Sequence, residues 1–369
     1  MLIKRVTSFV AALTLSVSSL FVFAPMLAHA VVQTCVWTGA GSDAKFSTTA
    51  NWSSCGSGAP LAGDALSFPA LGTKQAPLND TVLTYSGVAF SGASGSCSAS
   101  PYAWYVITGT QPLSLSGNIS NSMTGSCASA DLDLDINVTQ NLSVTGTASI
   151  CFGNTVSGKT ITLSAAKTLT ITSTGYSSIF SNIAGPADSS VIVNTVNGAS
   201  IGGTNTSFLG TFVLNAGSVY AGVGSLGASS AGTTVNAGAD LSINILKNTS
   251  LSEPITLTGA SSNATYASKL NFSVSGDSAD YAEGATTLLS ATYNGALTLG
   301  SDAIIGVSGS RNKMTVSGAL AGSFKITRIN GENGVLTLAA SPNGSQTANG
   351  DIASARKDTA ISADQRYVT

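Results

Sequence analysis

Beyond about residue 105, apolar and polar residues alternate in short runs. Typical runs are Leu113-Ser114-Leu115, Ile161-Thr162-Leu163, Leu169-Thr170-Ile171, Ile255-Thr256-Leu257 and Leu297-Thr298-Leu299. A period of two places the apolar side chains on one face of a strand and the Thr and Ser hydroxyls on the other. Gly, Asn or Asp separates the runs, and no window shows a helical period. The pattern therefore predicts an all-β chain of short, half-buried strands.

Three asparagines within this region are evenly spaced. Asn194, Asn215 and Asn236 each follow an apolar residue, and the last two continue identically as Asn-Ala-Gly. Self-similarity at a short fixed period indicates a solenoid. Asn tolerates the left-handed backbone of a corner, and stacked side-chain amides can form a hydrogen-bonded ladder. We predict a single parallel β-helix with these three residues as a structural ladder; a row of ligand-binding amides is the alternative.

The ends of such a stack are exposed sheet edges and need caps. Residues 31–104, which contain Trp37 and Trp52, are predicted to form an N-terminal cap and the first coils. Residues 105–342 are predicted to form the β-helix. Residues 343–369 are polar and rich in charge, and are predicted to be a C-terminal tail.

The first thirty residues have the pattern of a secretory signal peptide. Lys4 and Arg5 precede an apolar stretch that ends in Ala28-His29-Ala30, a cleavage site of small residues. We expect residues 1–30 to be removed and the mature protein to be secreted or held at the cell surface. No later run of 18 apolar residues occurs, so no transmembrane segment is expected after cleavage.

Cleavage changes which chemistry the chain can perform. It would remove His29, the only histidine, and would leave thirteen basic and seventeen acidic side chains, a net charge of −4. A nucleic-acid partner needs a basic face and is not expected. Ser-His-Asp and Cys-His catalysis and histidine metal sites are excluded as well. Only 9% of residues are charged, against about 25% in an ordinary soluble chain, and Ser, Thr, Asn and Gly fill the polar positions.

Five cysteines lie in the first half of the chain, at positions 35, 55, 97, 127 and 151. Exported proteins meet an oxidising compartment, so disulfides are expected. Cys35–Cys55 is the favoured pair because both flank one short N-terminal segment. Two of Cys97, Cys127 and Cys151 are expected to form a second bridge, with the choice among them open.

Three carboxylates alternate with apolar residues in the segment from Asp131 to Ile136. On a strand, Asp131, Asp133 and Asp135 would share one face, with successive carboxylates about 6.6 Å apart. The structural interpretation is an acidic stripe that discourages edge pairing. The alternatives are Ca²⁺ ligands, which would make Ca²⁺ the one cofactor, or the carboxylate pair of a glycosidase.

The N-terminal motifs resemble the passenger domains of bacterial autotransporters. The resemblance rests on the segment Trp37–Asp43, on Phe46-Ser47, on Asn51-Trp52-Ser53 and on the turn Pro60–Asp64. Further along, Phe208–Gly217 is similar to the passenger-associated repeat, and Met314–Leu338 resembles a more degenerate copy.

This resemblance implies a right-handed parallel β-helix displayed on, or released from, a bacterial surface. Such passengers precede a translocator barrel, and the sequence after residue 300 lacks the amphipathic membrane strands of one. We expect a non-enzymatic adhesive or structural protein that binds extracellular glycans or other cell-surface ligands. The alternatives are a polysaccharide-cleaving lyase or hydrolase that uses the clustered carboxylates, and a fragment of a larger surface assembly.

Overall fold

The structure, a computed structural model, describes residues 32–69, 76–93, 105–125, 128–153, 158–258, 268–281, 286–322, 326–328, 334–339, 352–353 and 365–368. The predicted signal peptide, Cys97 and Cys127 lie outside these residues. All the described strands belong to one compact unit, residues 33–369. Two 3-10 helices, Thr49–Asn51 and Ser278–Tyr281, interrupt the strands.

The described residues form thirty-four strands. The first twelve are β1 (Thr34–Trp37), β2 (Trp52–Ser53), β3 (Ala65–Pro69), β4 (Leu78–Asn79), β5 (Thr84–Tyr85), β6 (Gly87–Ser91), β7 (Tyr105–Gly109), β8 (Leu113–Leu115), β9 (Ile119–Asn121), β10 (Ser129–Asp133), β11 (Ile136–Val138) and β12 (Leu142–Gly146). The next twelve are β13 (Ser149–Phe152), β14 (Thr160–Leu163), β15 (Thr168–Ile171), β16 (Ser177–Ile179), β17 (Asn182–Ala184), β18 (Ser190–Asn194), β19 (Ala199–Ile201), β20 (Thr211–Gly222), β21 (Gly232–Val235), β22 (Ala239–Leu246), β23 (Ser250–Leu251) and β24 (Ile255–Leu257). The last ten are β25 (Ser268–Ser275), β26 (Leu289–Tyr293), β27 (Leu297–Leu299), β28 (Ala303–Ser308), β29 (Asn312–Val316), β30 (Leu320–Ala321), β31 (Ile326–Arg328), β32 (Val335–Ala339), β33 (Ile352–Ala353) and β34 (Gln365–Val368).

These strands stack into three faces. Face A consists of β3, β6, β9, β12, β15, β18, the first half of β20, β21, β24, β27 and β30, with β1 and β2 at its N-terminal end. Face B consists of β4, β7, β10, β13, β16, β19, the second half of β20, β22, β25, β28, β31 and β33. Face C has two five-stranded parts, formed by β5, β8, β11, β14 and β17 and by β23, β26, β29, β32 and β34.

Almost every pairing between strands is parallel, and each strand lies beside the equivalent strand of the next coil. The fold is a parallel β-solenoid of about ten turns, which confirms the predicted all-β solenoid. Within the described residues there is no α-helix, and none of their helices could cross a membrane.

The core consists of apolar columns that run from coil to coil. On face A, one inward column runs in register from β1 to β27, and its members are Cys35, Leu66, Val88, Ile119, Val144, Ile171, Val193, Leu214, Val235, Leu257 and Leu299. Every one of these side chains is buried. Burial of a Val, Leu or Ile side chain contributes about 1.5–3 kcal/mol, so these columns supply the driving force for stacking.

The even spacing seen in the sequence corresponds to the shortest coils. From Ile171 to Leu257 successive members of the column are almost equally spaced along the chain, whereas the last step, from Leu257 to Leu299, is nearly twice as long. Longer coils keep the same strand register and place the extra residues in connections between strands. The sequence period is therefore visible only where those connections are short.

Two of the three asparagines predicted to form a ladder, Asn215 and Asn236, do so in the structure. The side-chain amide of Asn236 donates to the Asn215 side-chain oxygen at 2.6 Å, and the Thr258 hydroxyl donates in turn to Asn236. Asn194 differs, because the register shifts between Val193 and Asn194 and places Asn194 opposite Ala216. A bulge of this kind moves a side chain out of line with its neighbours.

Aromatic side chains fill the core beneath the N-terminal end. Trp37 and Trp52 are both buried and lie edge to face at 5.0 Å, and Phe46 packs against them. The indole N–H of Trp52 donates to the Phe46 carbonyl at 2.8 Å, which satisfies its polar group. Phe68 continues the cluster and stacks on Phe90 of the next coil.

The cap is also cross-linked. The Cys35–Cys55 disulfide predicted from the sequence is present and joins β1 to the segment after β2. Cys151 is a free thiol.

At the C-terminal end, the residues predicted to form a tail include two strands. Strand β33 pairs with β31, and β34 pairs antiparallel with β32. A polar, charge-rich composition is compatible with such strands, because an edge strand can be polar and still satisfy its backbone through pairing.

The two Asn-Ala-Gly turns allow a matched test of coil packing. Gly217 and Gly238 have φ of +83° and +81°, so alanine at either position incurs the left-handed penalty of about 1–2 kcal/mol. A Cβ at Gly217 would lie 2.0 Å from the Thr195 carbonyl oxygen, whereas nothing lies within 4 Å of one at Gly238. We predict that Gly217→Ala lowers the free energy of unfolding more than Gly238→Ala does. Urea denaturation followed by circular dichroism measures both, and equal losses would contradict the close stacking of coils at this corner.

Candidate functional site

Asp131 and Asp133 project from the outer side of face B. Strand β10 alternates buried Ala130 and Leu132 with these half-buried carboxylates, as the sequence pattern predicts. The coil below places Val106 beside Asp131, and the coil above places Cys151 there. The two carboxylates therefore lie on one outward surface, next to the free thiol.

Burial and mutual repulsion shift the protonation of this group. The pKa of Asp131 is raised to about 6, chiefly by burial; a hydrogen bond from the Ser129 hydroxyl opposes this shift, and the charge of Asp133 adds to it. Burial also raises the pKa of the Cys151 thiol to about 12, and both carboxylates add to that shift. The thiol is protonated at neutral pH and is therefore a poor nucleophile.

Asp135 does not join the other two carboxylates, contrary to the prediction of one strand through Ile136. Strand β10 ends at Asp133, and the chain turns the corner to face C before β11 begins at Ile136. At that corner a carboxylate oxygen of Asp135 accepts the backbone N–H of Thr160 from the next coil, at 2.9 Å. The described residues contain no group of three His, Cys, Asp or Glu side chains that could hold a metal ion.

Three aromatic side chains lie further along the same outer surface. Tyr176 and Phe180 flank β16, and Tyr220 projects from β20 two coils above. The side chains of Tyr176 and Tyr220 are 37% and 55% exposed, so their apolar rings face solvent, and Phe180 is half-buried. We call Tyr176, Phe180 and Tyr220, with Ser178 and Ser200 between them, the aromatic patch.

Small residues allow the rings to lie against the sheet. The ring of Phe180 lies over Gly202, where a Cβ would come within 2.7 Å of its Cδ1 atom. The Tyr176 ring is less close to Gly198, where a Cβ would lie 3.6 Å from its Cε2 atom, and the Tyr176 hydroxyl is 2.5 Å from the Ser200 hydroxyl oxygen. Ser178, Ser200 and Tyr220 follow one another in a single column across three coils. With strands about 4.8 Å apart, Tyr220 lies about 10 Å from the row of Tyr176 and Phe180.

Sequence reasoning did not identify the aromatic patch. The signal was present in the alternation of Tyr176, Ser178 and Phe180 and in the matching glycines further along the chain, Gly198 and Gly202. The offset between rings and glycines equals the length of one coil in this part of the chain. Only the coil register shows that the rings lie over those glycines.

A further titratable group lies inside the solenoid. Glu253 is only 3% exposed, at the corner between β23 and β24, and its carboxylate accepts the Thr233 hydroxyl at 3.1 Å. Its backbone carbonyl accepts the Tyr293 hydroxyl at 2.6 Å. Burial raises the pKa of Glu253 to about 7, and the hydrogen bond from Thr233 opposes that shift. Because Glu253 faces the core, it has no access to an external substrate.

Comparison with known proteins identifies no relative. No protein-family model, no curated protein and no solved structure matches the chain. What the protein does is therefore inferred from the surface of the solenoid itself.

The Glu253 carboxyl predicts how stability changes with pH. Its folded-state pKa, about 7, lies above its ordinary value of 4.5, so the stability it contributes is full below pH 4.5 and is lost as the pH rises through 7. Through this carboxyl the wild type should lose about 3 kcal/mol of unfolding free energy between pH 4.5 and pH 8. We predict that Glu253→Gln does not show this loss. Denaturation of both proteins at several pH values measures this difference. An unchanged slope in the variant would show that the carboxyl is not held in its neutral form.

Proposed function

We propose that this protein is an exported solenoid that binds glycans at a cell surface or in the extracellular space, through the aromatic patch on face B. The observation that carries the proposal is the pair of exposed rings of Tyr176 and Tyr220, with Phe180 beside them, around a floor of Ser and Gly residues. The signal-peptide pattern and the resemblance to autotransporter passengers support export.

The aromatic patch has the chemistry that saccharide binding needs. A pyranose ring has an apolar face of C–H groups, which packs against the face of an aromatic ring, and hydroxyls at its edge. Ser178 and Ser200 lie between the rings and supply hydroxyl groups that both donate and accept hydrogen bonds. Rings about 10 Å apart along the stack can contact two different units of one extended glycan chain.

The solenoid also suits weak, repeated binding. Face B continues above the patch, and the outward positions of β22 and β25 are mainly Ser and Asn, with Asp240, Leu246 and Lys269 among them. Weak contacts with a polymeric ligand then add through multivalency, because each bound unit raises the effective concentration of the next. An adhesive or structural role needs no catalytic centre.

A second candidate, polysaccharide cleavage, rests on one specific observation. Asp131 has a pKa of about 6 and lies two residues along β10 from Asp133 on the same outward surface. A carboxyl whose pKa is raised next to a second carboxylate is the arrangement of an acid–base pair in glycosidases. Both carboxylates lie on the same face as the aromatic patch.

The test of glycan binding is retention on insoluble neutral polysaccharides. Mature protein, residues 31–369, is incubated with a panel of these polymers, and the bound fraction is measured by sedimentation. We expect the Tyr176→Ala/Tyr220→Ala double variant to lose at least about tenfold in affinity for the polymer that retains the wild type, since each substitution removes an exposed ring from the patch.

Two controls separate binding from folding. Val82 is 77% exposed and lies between β4 and β5, far from the patch, so Val82→Ala removes exposed apolar surface without touching the site. Tyr220→Phe keeps the ring and removes only the hydroxyl, and should retain most of the affinity. Equal retention of the wild type and the double variant, with unchanged circular dichroism, would exclude the aromatic patch as the binding surface.

The same incubation tests the second candidate. Release of new reducing or unsaturated chain ends is followed with the wild type and with Asp131→Asn. Cleavage that the substitution abolishes would make the protein a carbohydrate-active enzyme. Retention without new ends would leave the adhesive function as the explanation.

A further inference from the structure

A groove of about 770 Å³ lies on the outer side of face C, in the C-terminal half of the solenoid. It follows the stacked strands β23, β26 and β29, with β23 only two residues long and the other two five residues each. The corner at Asn248 has a left-handed backbone with φ of +59°, and its N–H donates to the Ser290 carbonyl at 2.7 Å. The groove therefore has a floor of hydrogen-bonded backbone.

The side chains that line this groove are almost all polar. Hydroxyl and amide groups from successive coils point into it, and Ser250 stands in register with Thr292. Ser290 stands beside Lys313, which supplies the positive charge of the groove. None of the described residues that line the groove is acidic, so none of them neutralises that ammonium group.

We propose that this groove binds a carboxylate-bearing saccharide unit, such as a hexuronate. Lys313 pairs with the carboxylate, while the hydroxyl and amide groups of Ser250, Thr292 and Asn294 bond to the sugar hydroxyls. The pairing of one cation with many neutral hydrogen-bonding groups fits a ligand that carries one charge and several hydroxyls. This site is on a different face from the aromatic patch and does not depend on the function proposed for that patch.

The experiment compares two trisaccharides by isothermal titration calorimetry, galacturonate trimer and neutral galactose trimer, with the mature protein. We expect the acidic trimer to bind at least about tenfold more tightly at about 20 mM NaCl, and the preference to shrink at about 300 mM NaCl, since salt screens an exposed charge pair. Lys313→Gln should abolish the preference. Lys167→Gln, which removes a lysine from the corner before β15 on another part of the surface, should leave it intact.

Two further arms make the result specific. The preference for the acidic trimer should persist in Tyr220→Ala, because that variant alters only the aromatic patch. Loss of this preference in Tyr220→Ala would mean that both ligands bind face B, and it would overturn the proposal. Free acetate should bind far more weakly than the trimer. Equal affinity for acetate, or an unchanged preference in Lys313→Gln, would also overturn it.

Discussion

The register between successive coils is the constraint on which the rest of this structure depends. Backbone hydrogen bonds join each strand to its equivalent in the next coil, so a side chain at one position stands directly above its counterpart. Inward positions are therefore mostly apolar from coil to coil, as in the column from Cys35 to Leu299, and buried polar side chains such as Ser177 and Thr233 are hydrogen-bonded. The same register aligns the outward positions, and every candidate binding surface on this protein is a set of aligned outward side chains.

The fold could be predicted because alternation is a local property. Segments such as Ile161-Thr162-Leu163 indicate a half-buried strand by themselves, and the even spacing of similar segments indicates stacking wherever connections are short. The corners could not be predicted in the same way. Whether Asp135 continues β10 or turns toward face C depends on backbone contacts with the next coil, such as its bond to Thr160, and no local pattern encodes that partner. The misplaced Asn194 has the same origin, since a bulge shifted its register.

The candidate binding surfaces combine local and long-range information. Asp131 and Asp133 share a face because they are two residues apart on one strand, and the sequence predicts that. The aromatic patch instead depends on residues two coils apart, Tyr176 and Tyr220, and on Gly202, which leaves room for the ring of Phe180. The groove on face C likewise requires three coils. Lys313 gives that groove its positive character only because the aligned neighbours are uncharged. Surfaces built across coils therefore emerge only once the register is known.

The reversed strands at the two ends have a consequence for the behaviour of whole molecules. A solenoid that stopped on a bare parallel strand would offer a second molecule the same edge that each coil offers the next, and chains could join end to end into fibres. Here β2 runs antiparallel beside β1 on face A, and β34 runs antiparallel beside β32 on face C. A second molecule that stacked in parallel register on these faces would meet a strand that runs in the opposite direction. On these two faces the reversed strands therefore disfavour parallel stacking of a second molecule, while the repetitive architecture is kept within one molecule.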